Sequence, residues 1–225
     1  MARSRAPRII GRIFKLLLVL LILTVVSILG WRIFSSEKYT LAYGIQPNAA
    51  LNAAYATHGE EITLQYQNQN PSITRDEHNY GYFSVIDSVF IPDAQQVQFV
   101  MRYNNSTLNH LKEDYSLTEA LDRQVDYYDV TVVIVNTVTG EKTRLFPTGE
   151  PIRENTQLYT YRRYTFDGVD FSESDCDVFV DIYYKGDINY EEDAYGRLVI
   201  YNHTFKWLEY PLSKEEKKRL EDAIG

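Results

Sequence analysis

The stretch DFSESDCDVFVDIYYKGDINYEED, residues 170–193, holds nine acids, one base (Lys185) and the chain's single cysteine, Cys176. Its middle decides the fold. Successive side chains of a β-strand point to opposite faces. CDVFVDIYY therefore puts Cys176, Val178, Val180, Ile182 and Tyr184 on one side, and Asp177, Phe179, Asp181 and Tyr183 on the other. The first set is apolar and faces a core. Cys176 goes with it, and a thiol in apolar surroundings stays protonated and inert. Asp177 and Asp181 are expected on a solvated face, where Arg162 and Arg163 of the preceding strand would meet them as cross-strand pairs. The rest of the stretch is two acidic turns, one at each end of the strand.

The same period recurs in both directions. YFSVIDSVFI (82–91) alternates through Phe83, Val85, Asp87, Val89 and Ile91 and stops at Pro92-Asp93. QVQFVMRY (96–103) sets Val97, Phe99, Met101 and Tyr103 against Gln96, Gln98 and Arg102. YDVTVVIVNT (128–137) is almost continuously β-branched, as a strand covered on both faces would be. EKTRLF (141–146), QLYTYRRYTF (157–166) and RLVIYNHTF (197–205) complete seven strand candidates, most of them separated by polar, Gly or Pro turns. Two short helices are predicted. SLTEALDR (116–123) has Ser116 and Glu119 in capping-box register, and SKEEKKRLEDAIG (213–225) repeats the device with Ser213 and Glu216.

Many short alternating strands without long helices between them read as an all-β fold, an antiparallel β-sandwich of immunoglobulin-like or related type. The sandwich is assigned to residues 82–212 and a C-terminal surface helix to 213–225. Residues 35–81 are small, polar and turn-rich. They are read as an extracytoplasmic stalk or lead-in, with helical spacing at Leu51, Ala54, Tyr55 and His58 and a short strand in ITLQYQ.

The N-terminus is different in kind. IFKLLLVLLILTVVSILGWRIF (13–34) has a charge-free run over 16–31 and spans about 33 Å as a helix. That matches a bilayer core of about 30 Å, with Lys15 and Arg32 snorkelling and Trp31 at the interface. It is read as a transmembrane signal-anchor preceded by a basic cytoplasmic tail, residues 1–12. Five bases precede the run, so the positive-inside rule places the N-terminus in the cytoplasm and the remainder outside a cell membrane crossed once. The competing reading, a cleaved signal peptide, lacks a small-x-small site at Gly30-Trp31-Arg32. A lipoprotein would need a cysteine directly after the apolar run, and none stands there.

Charge and cysteine usage narrow the class further. Residues 1–34 carry six bases and no acid, which leaves 17 of the 23 bases and all 31 acids, a net −14, for the remainder. Such a body repels nucleic acid, whose binding rests on neutralising phosphates. One cysteine allows no internal disulfide, and a disulfide-free exported domain points to a bacterial envelope.

No motif assigns chemistry. G-x-S-x-G, H-E-x-x-H and glycine-rich phosphate loops are absent from the sequence, and its four histidines are scattered. S-x-x-K at 35–38 lies directly outside the apolar run, and LFPTG (145–149) is a mid-chain turn. No catalytic or cofactor-binding residue is assigned. The two acidic turns are the candidate cation sites, since Ca²⁺ takes several oxygens from a loop. One offers Asp187, Asn189, Glu191 and Asp193; the other offers Asp170 and Asp175. A strand of nine residues spans about 27–30 Å, so they cannot share an ion. Nineteen tyrosines suit either half-buried strands or a recognition surface, for which Tyr183, Tyr190 and Tyr195 are the candidates. The expected function is a membrane-anchored, non-catalytic binding module of the cell envelope. Its partners would be the bilayer, through residues 13–34, and an envelope protein or wall polymer at loops 142–156, 167–176 and 185–197. The alternatives are a hydrolase of wall glycan or peptide, needing converging carboxylates, and a calcium-stabilised adhesin-like domain.

Overall fold

The computed structural model describes residues 6–36, 44–67, 82–169, 175–192, 194–201 and 207–225. The chain divides into two units, Met1–Tyr39 and Thr40–Gly225. The first holds α1 (Ala6–Ser36). Within it, Phe14–Trp31 is an 18-residue segment with no buried side chain, long and apolar enough to cross a membrane.

The second unit is mostly β. Among the described residues its order is α2 (Ala49–His58), β1 (Thr63–Gln67), β2 (Ser84–Ile91), β3 (Gln96–Asn104), α3 (Asn105–Asp114), β4 (Tyr128–Asn136), β5 (Lys142–Leu145), β6 (Ile152–Asn155), β7 (Tyr159–Asp167), β8 (Cys176–Tyr184), β9 (Gly196–Tyr201), β10 (Trp207–Pro211) and α4 (Lys214–Ile224). These strands form two antiparallel sheets, β10-β1-β2-β3-β7-β6 and β5-β4-β8-β9. One apolar core joins them. Val97, Phe99 and Met101 of the larger sheet cluster with Val130, Val132, Val178, Val180, Ile182 and Leu198 of the smaller. Each such side chain, fully withdrawn from water, contributes roughly 1.5–3 kcal/mol. Aromatic rings fill one part of this core, with Tyr128 4.8 Å from Phe83 and 5.3 Å from Tyr103, both edge-on. A good share of the tyrosines is thus structural.

The alternation in β8 holds for the inward set: Cys176, Val178, Val180 and Ile182 are buried. It misleads for the outward set. Asp181 is 0% exposed, held by Arg197 of β9 through Nε at 2.6 Å and Nη2 at 2.8 Å. Arg197 lies directly opposite Asp181 in the β8–β9 register. Arg162 and Arg163 do not meet β8. Their strand, β7, pairs with β3 and β6 in the other sheet, because strands consecutive in sequence need not be neighbours in a sheet.

Two further expectations shift. The helix read at 116–123 lies upstream, at α3. Asn104 caps it, accepting from Ser106 N–H and Thr107 N–H at 2.9 and 3.2 Å, and Leu108 and Leu111 are buried. Ser116 is not an N-cap. It sits at φ +51° just past α3, where Ser116 N–H donates to Glu113 O and Leu117 N–H to Lys112 O. That is the Schellman closure of a helix C-terminus. Within residues 35–81, α2 and β1 belong to the body. Leu51, Ala54, Ile62 and Leu64 form a second core with Val89, Ile91, Leu212 and Leu220. β1 lies between β10 and β2.

A polar ladder secures this lead-in. Gln98, fully buried on β3, accepts from Gln46 N–H and donates to Gln46 O, both at 2.8 Å. Its amide also donates to Gln96 Oε1 at 2.6 Å. Gln96 Nε2 in turn reaches Asn48 Oδ1 at 2.9 Å and Asp167 Oδ1 at 2.6 Å, and Asn48 Oδ1 caps α2 through Leu51 N–H. Buried amides are tolerated when every group is paired.

Candidate functional site

The four-stranded sheet carries an aromatic patch built around Arg144 of β5. Its guanidinium carbon lies 5.3 Å from the Tyr190 ring centre and 5.8 Å from that of Tyr183 on β8, and its Nη2 donates to the Tyr183 hydroxyl at 3.2 Å. The Tyr183 and Tyr190 rings meet edge-on at 5.0 Å, and Phe146 meets Tyr190 edge-on at 5.3 Å. Tyr190 comes from the turn after β8, and its hydroxyl donates to Asp129 of β4. Burial, the Asp129 hydrogen bond and its charge push the Tyr190 pKa up to about 12. Phe146 is 53% exposed and Ile188, on the same turn as Tyr190, is also exposed.

The three tyrosines proposed for recognition thus have different fates. Tyr190 lies half-buried in the patch. Tyr183 is 3% exposed and serves as its floor. Tyr195 belongs to the core between the sheets, donating to Asp114 Oδ2 at 3.1 Å and packing near-parallel to Tyr128 at 6.2 Å.

Of the candidate cation ligands, Asp175, Asp187, Asn189 and Glu191 lie among the described residues. Asp187, Asn189 and Glu191 are exposed on the turn after β8, where Asn189 Oδ1 accepts from Glu191 N–H at 3.1 Å, an Asx-turn. Asp175 is exposed at the other end of β8. Asp170 and Asp193 lie outside the described residues. Among the described residues no three His, Cys, Asp or Glu side chains group closely enough to hold a metal ion.

A cleft of about 410 Å³ that no motif in the sequence signals lies on the other sheet, between β1, β2, β10 and the start of α4. Tyr66 and Tyr210 form one wall, their rings edge-on at 5.8 Å. Asp87, Glu215 and Glu216 bring carboxylates to it. The local sequence explains each placement. Asp87 sits in a β-bulge, where the β2–β3 register slips between Ile86 and Val89, at φ +50°. A bulge re-aims side chains, and aspartate tolerates left-handed backbone better than most residues. Glu216 closes the capping box of α4: its Oε2 accepts from Ser213 N–H at 2.8 Å, while Ser213 Oγ accepts from Glu216 N–H at 3.2 Å. Burial first, then the charge of Glu216, raises the Tyr66 pKa; the Arg163 guanidinium works the other way. The one legible signal was Asp87, an acid at an inward position of an otherwise apolar strand.

Compared with protein-family models, curated proteins and solved structures, the chain matches none.

Proposed function

We propose that the chain is a single-pass, membrane-anchored binding module displayed on the outer face of a cell envelope. Its β unit would dock an envelope protein on the patch of Arg144, Phe146, Ile188 and Tyr190. The observation that supports this reading is the patch itself: exposed apolar side chains beside an arginine that packs against two tyrosine rings. Arg and aromatic residues dominate the energetic centres of protein interfaces. The five bases before the apolar run 16–31 support the orientation. The finer fold reading, a sandwich of immunoglobulin-like or related type, goes with the proposal because two antiparallel sheets share one core. The division into six and four strands differs from the four-and-three or four-and-five of immunoglobulin domains.

The test is affinity capture with the full chain in nanodiscs, incubated with solubilised envelope. A protein held by the wild type and by Asp187→Asn, but lost with Phe146→Ala and Arg144→Ala, supports the reading. Retention of purified wall polymer instead, indifferent to those two variants, overturns it. The hydrolase reading has one observation on its side, the three carboxylates sharing a cleft. Release of reducing ends or free amines from wall polymer by the full chain would decide for it.

A further inference from the structure

The basic cluster around Asp126 carries an inference separate from the docking patch. We propose that it binds a dianionic phosphate group, as on a phosphate monoester.

Three observations converge. First, one carboxylate there faces three cations. Asp126 Oδ1 is 3.1 Å from Arg162 Nε, and its Oδ2 is 3.1 Å from Arg153 Nη2 and 3.9 Å from Lys185 Nζ. Arg162, whose side chain is fully buried, already meets the Asp126 charge. Arg153 and Lys185 are therefore in excess, although residues 35–225 hold 17 bases against 31 acids. Among the described residues their one further ion-pair partner is Glu150, 3.4 Å from Arg153 and 89% exposed. A pair so open to water is weak.

Second, the backbone forces these cations together. Arg153 of β6 and Arg162 of β7 stand directly opposite in register, and like charges so placed repel. Lys185 follows β8 in the other sheet, and its N–H donates to Tyr127 O at 2.8 Å, which ties it next to Asp126. Third, Arg123 adds a donor without an acceptor. Its carbonyl accepts from Arg162 Nη2 at 3.0 Å, so the residue borders the cluster, and its enclosed Nη1 has no hydrogen-bond partner. Among the described residues Arg123 forms no ion pair. Two further carboxylates close in sequence are engaged elsewhere: Asp122 Oδ1 accepts from Gln124 N–H at 2.9 Å, and Asp129 accepts from the Tyr190 hydroxyl.

The charge excess selects the anion. Against Asp126, the cations Arg153, Arg162 and Lys185 leave two positive charges over. A phosphate monoester carries about −1.5 to −2 at pH 7 and three strong acceptor oxygens. A carboxylate or a phosphodiester brings a single charge. Arg153 offers a planar fork and Lys185 a mobile point charge, and both kinds of cation hold phosphate. Each is more than 40% exposed, so an anion reaches them from solvent while Arg162 stays on Asp126.

The experiment is thermal unfolding of the full chain in nonionic detergent near pH 7 at fixed ionic strength, with glycerol 3-phosphate as probe. Chloride, dimethyl phosphate and acetate replace it in parallel runs. A ligand held by the folded state alone raises Tm. The expected result is a rise of at least about 2 °C over chloride, larger than that given by dimethyl phosphate or acetate. Arg153→Gln and Lys185→Gln, each compared with its own chloride baseline, should each cut the rise at least twofold. Phe146→Ala should leave it unchanged, so failure here and failure of the docking patch are read separately. A run with inorganic phosphate separates the free ion from the ester; a rise with either upholds the site. A smaller rise with both, a rise matched by dimethyl phosphate or acetate, or one that survives either cluster variant overturns it.

Discussion

Replacing Asp126 by alanine should destabilise the β unit more than any other surface-loop change. Asp126 lies just before β4 and faces Arg162 of β7, whose side chain is 0% exposed; Nε and Oδ1 are 3.1 Å apart. Arg162 also donates to Asn155 Oδ1 at 3.1 Å, to Tyr161 O at 2.9 Å and to Arg123 O at 3.0 Å. Asp126→Ala leaves those bonds in place but strips a buried guanidinium of its counter-charge. Breaking a buried pair from one side costs about 3–5 kcal/mol. Arg153 at 3.1 Å and Lys185 at 3.9 Å also reach Asp126. Both are more than 40% exposed, so each adds about 0–1 kcal/mol. For a unit of this size, 1 kcal/mol moves Tm by about 2–4 °C. Thermal unfolding of the full chain in detergent, followed by circular dichroism, should show Asp126→Ala melting about 6–20 °C lower. Arg153→Gln and Lys185→Gln should each move it by less than about 4 °C. The double variant Asp126→Leu/Arg162→Met, which removes both charges, should recover at least half the loss. If Asp126→Ala melts within 2 °C of the wild type, the pair is not the clamp the geometry indicates.

Other perturbations separate the remaining parts of the account. Gln98→Leu removes both bonds to the Gln46 backbone and leaves buried polar groups unpaired, at about 1–3 kcal/mol each; hydrogen exchange at residues 46–58 should accelerate by at least tenfold while β4 and β8 stay protected. Tyr190 titrates near 12 with the proton held more tightly in the folded state. Its contribution is therefore fully present below about pH 10 and lost as pH rises towards 12. Asp129→Asn removes the carboxylate that helps hold that proton, so one tyrosine in the tyrosinate absorbance titration should move down towards 10; an unchanged titration curve would contradict the Tyr190–Asp129 bond.

Some of this architecture could be read from residue order and some could not. The inward faces of β3 and β8 followed from alternation because both sides of the core are apolar, and burial there is set by local pattern. The Ser213 cap of α4 followed because its partner, Glu216, lies three residues away. Ser116 shows the limit of the same rule: Ser-x-x-Glu recurs there, yet the Asn104 cap starts the helix twelve residues earlier, and Ser116 lies just past its end. Asp181 and Arg162 were misplaced for a different reason. Alternation tells which face a side chain takes, not what covers that face, and each proved to be buried against a partner on a strand or loop it was not assigned to. The cleft was beyond reach because Tyr66, Asp87, Tyr210 and Glu216 come together through strand order and a bulge. The tyrosine-rich patch was half legible: the turn after β8 was singled out, but Arg144, its organising cation, was not.

Placement of the β unit outside the membrane is the claim on which the proposed function rests. Val138→Cys puts a thiol at a 76% exposed position, while the native Cys176 is buried and gives little background. Intact cells expressing this variant are treated with a membrane-impermeant maleimide, and their membranes are then washed with alkaline carbonate. Labelling of Cys at 138 in intact cells, on a chain that stays in the membrane pellet, is the outcome expected of an anchored extracytoplasmic module. Labelling that requires permeabilised cells, or a labelled chain released by the wash, would contradict it.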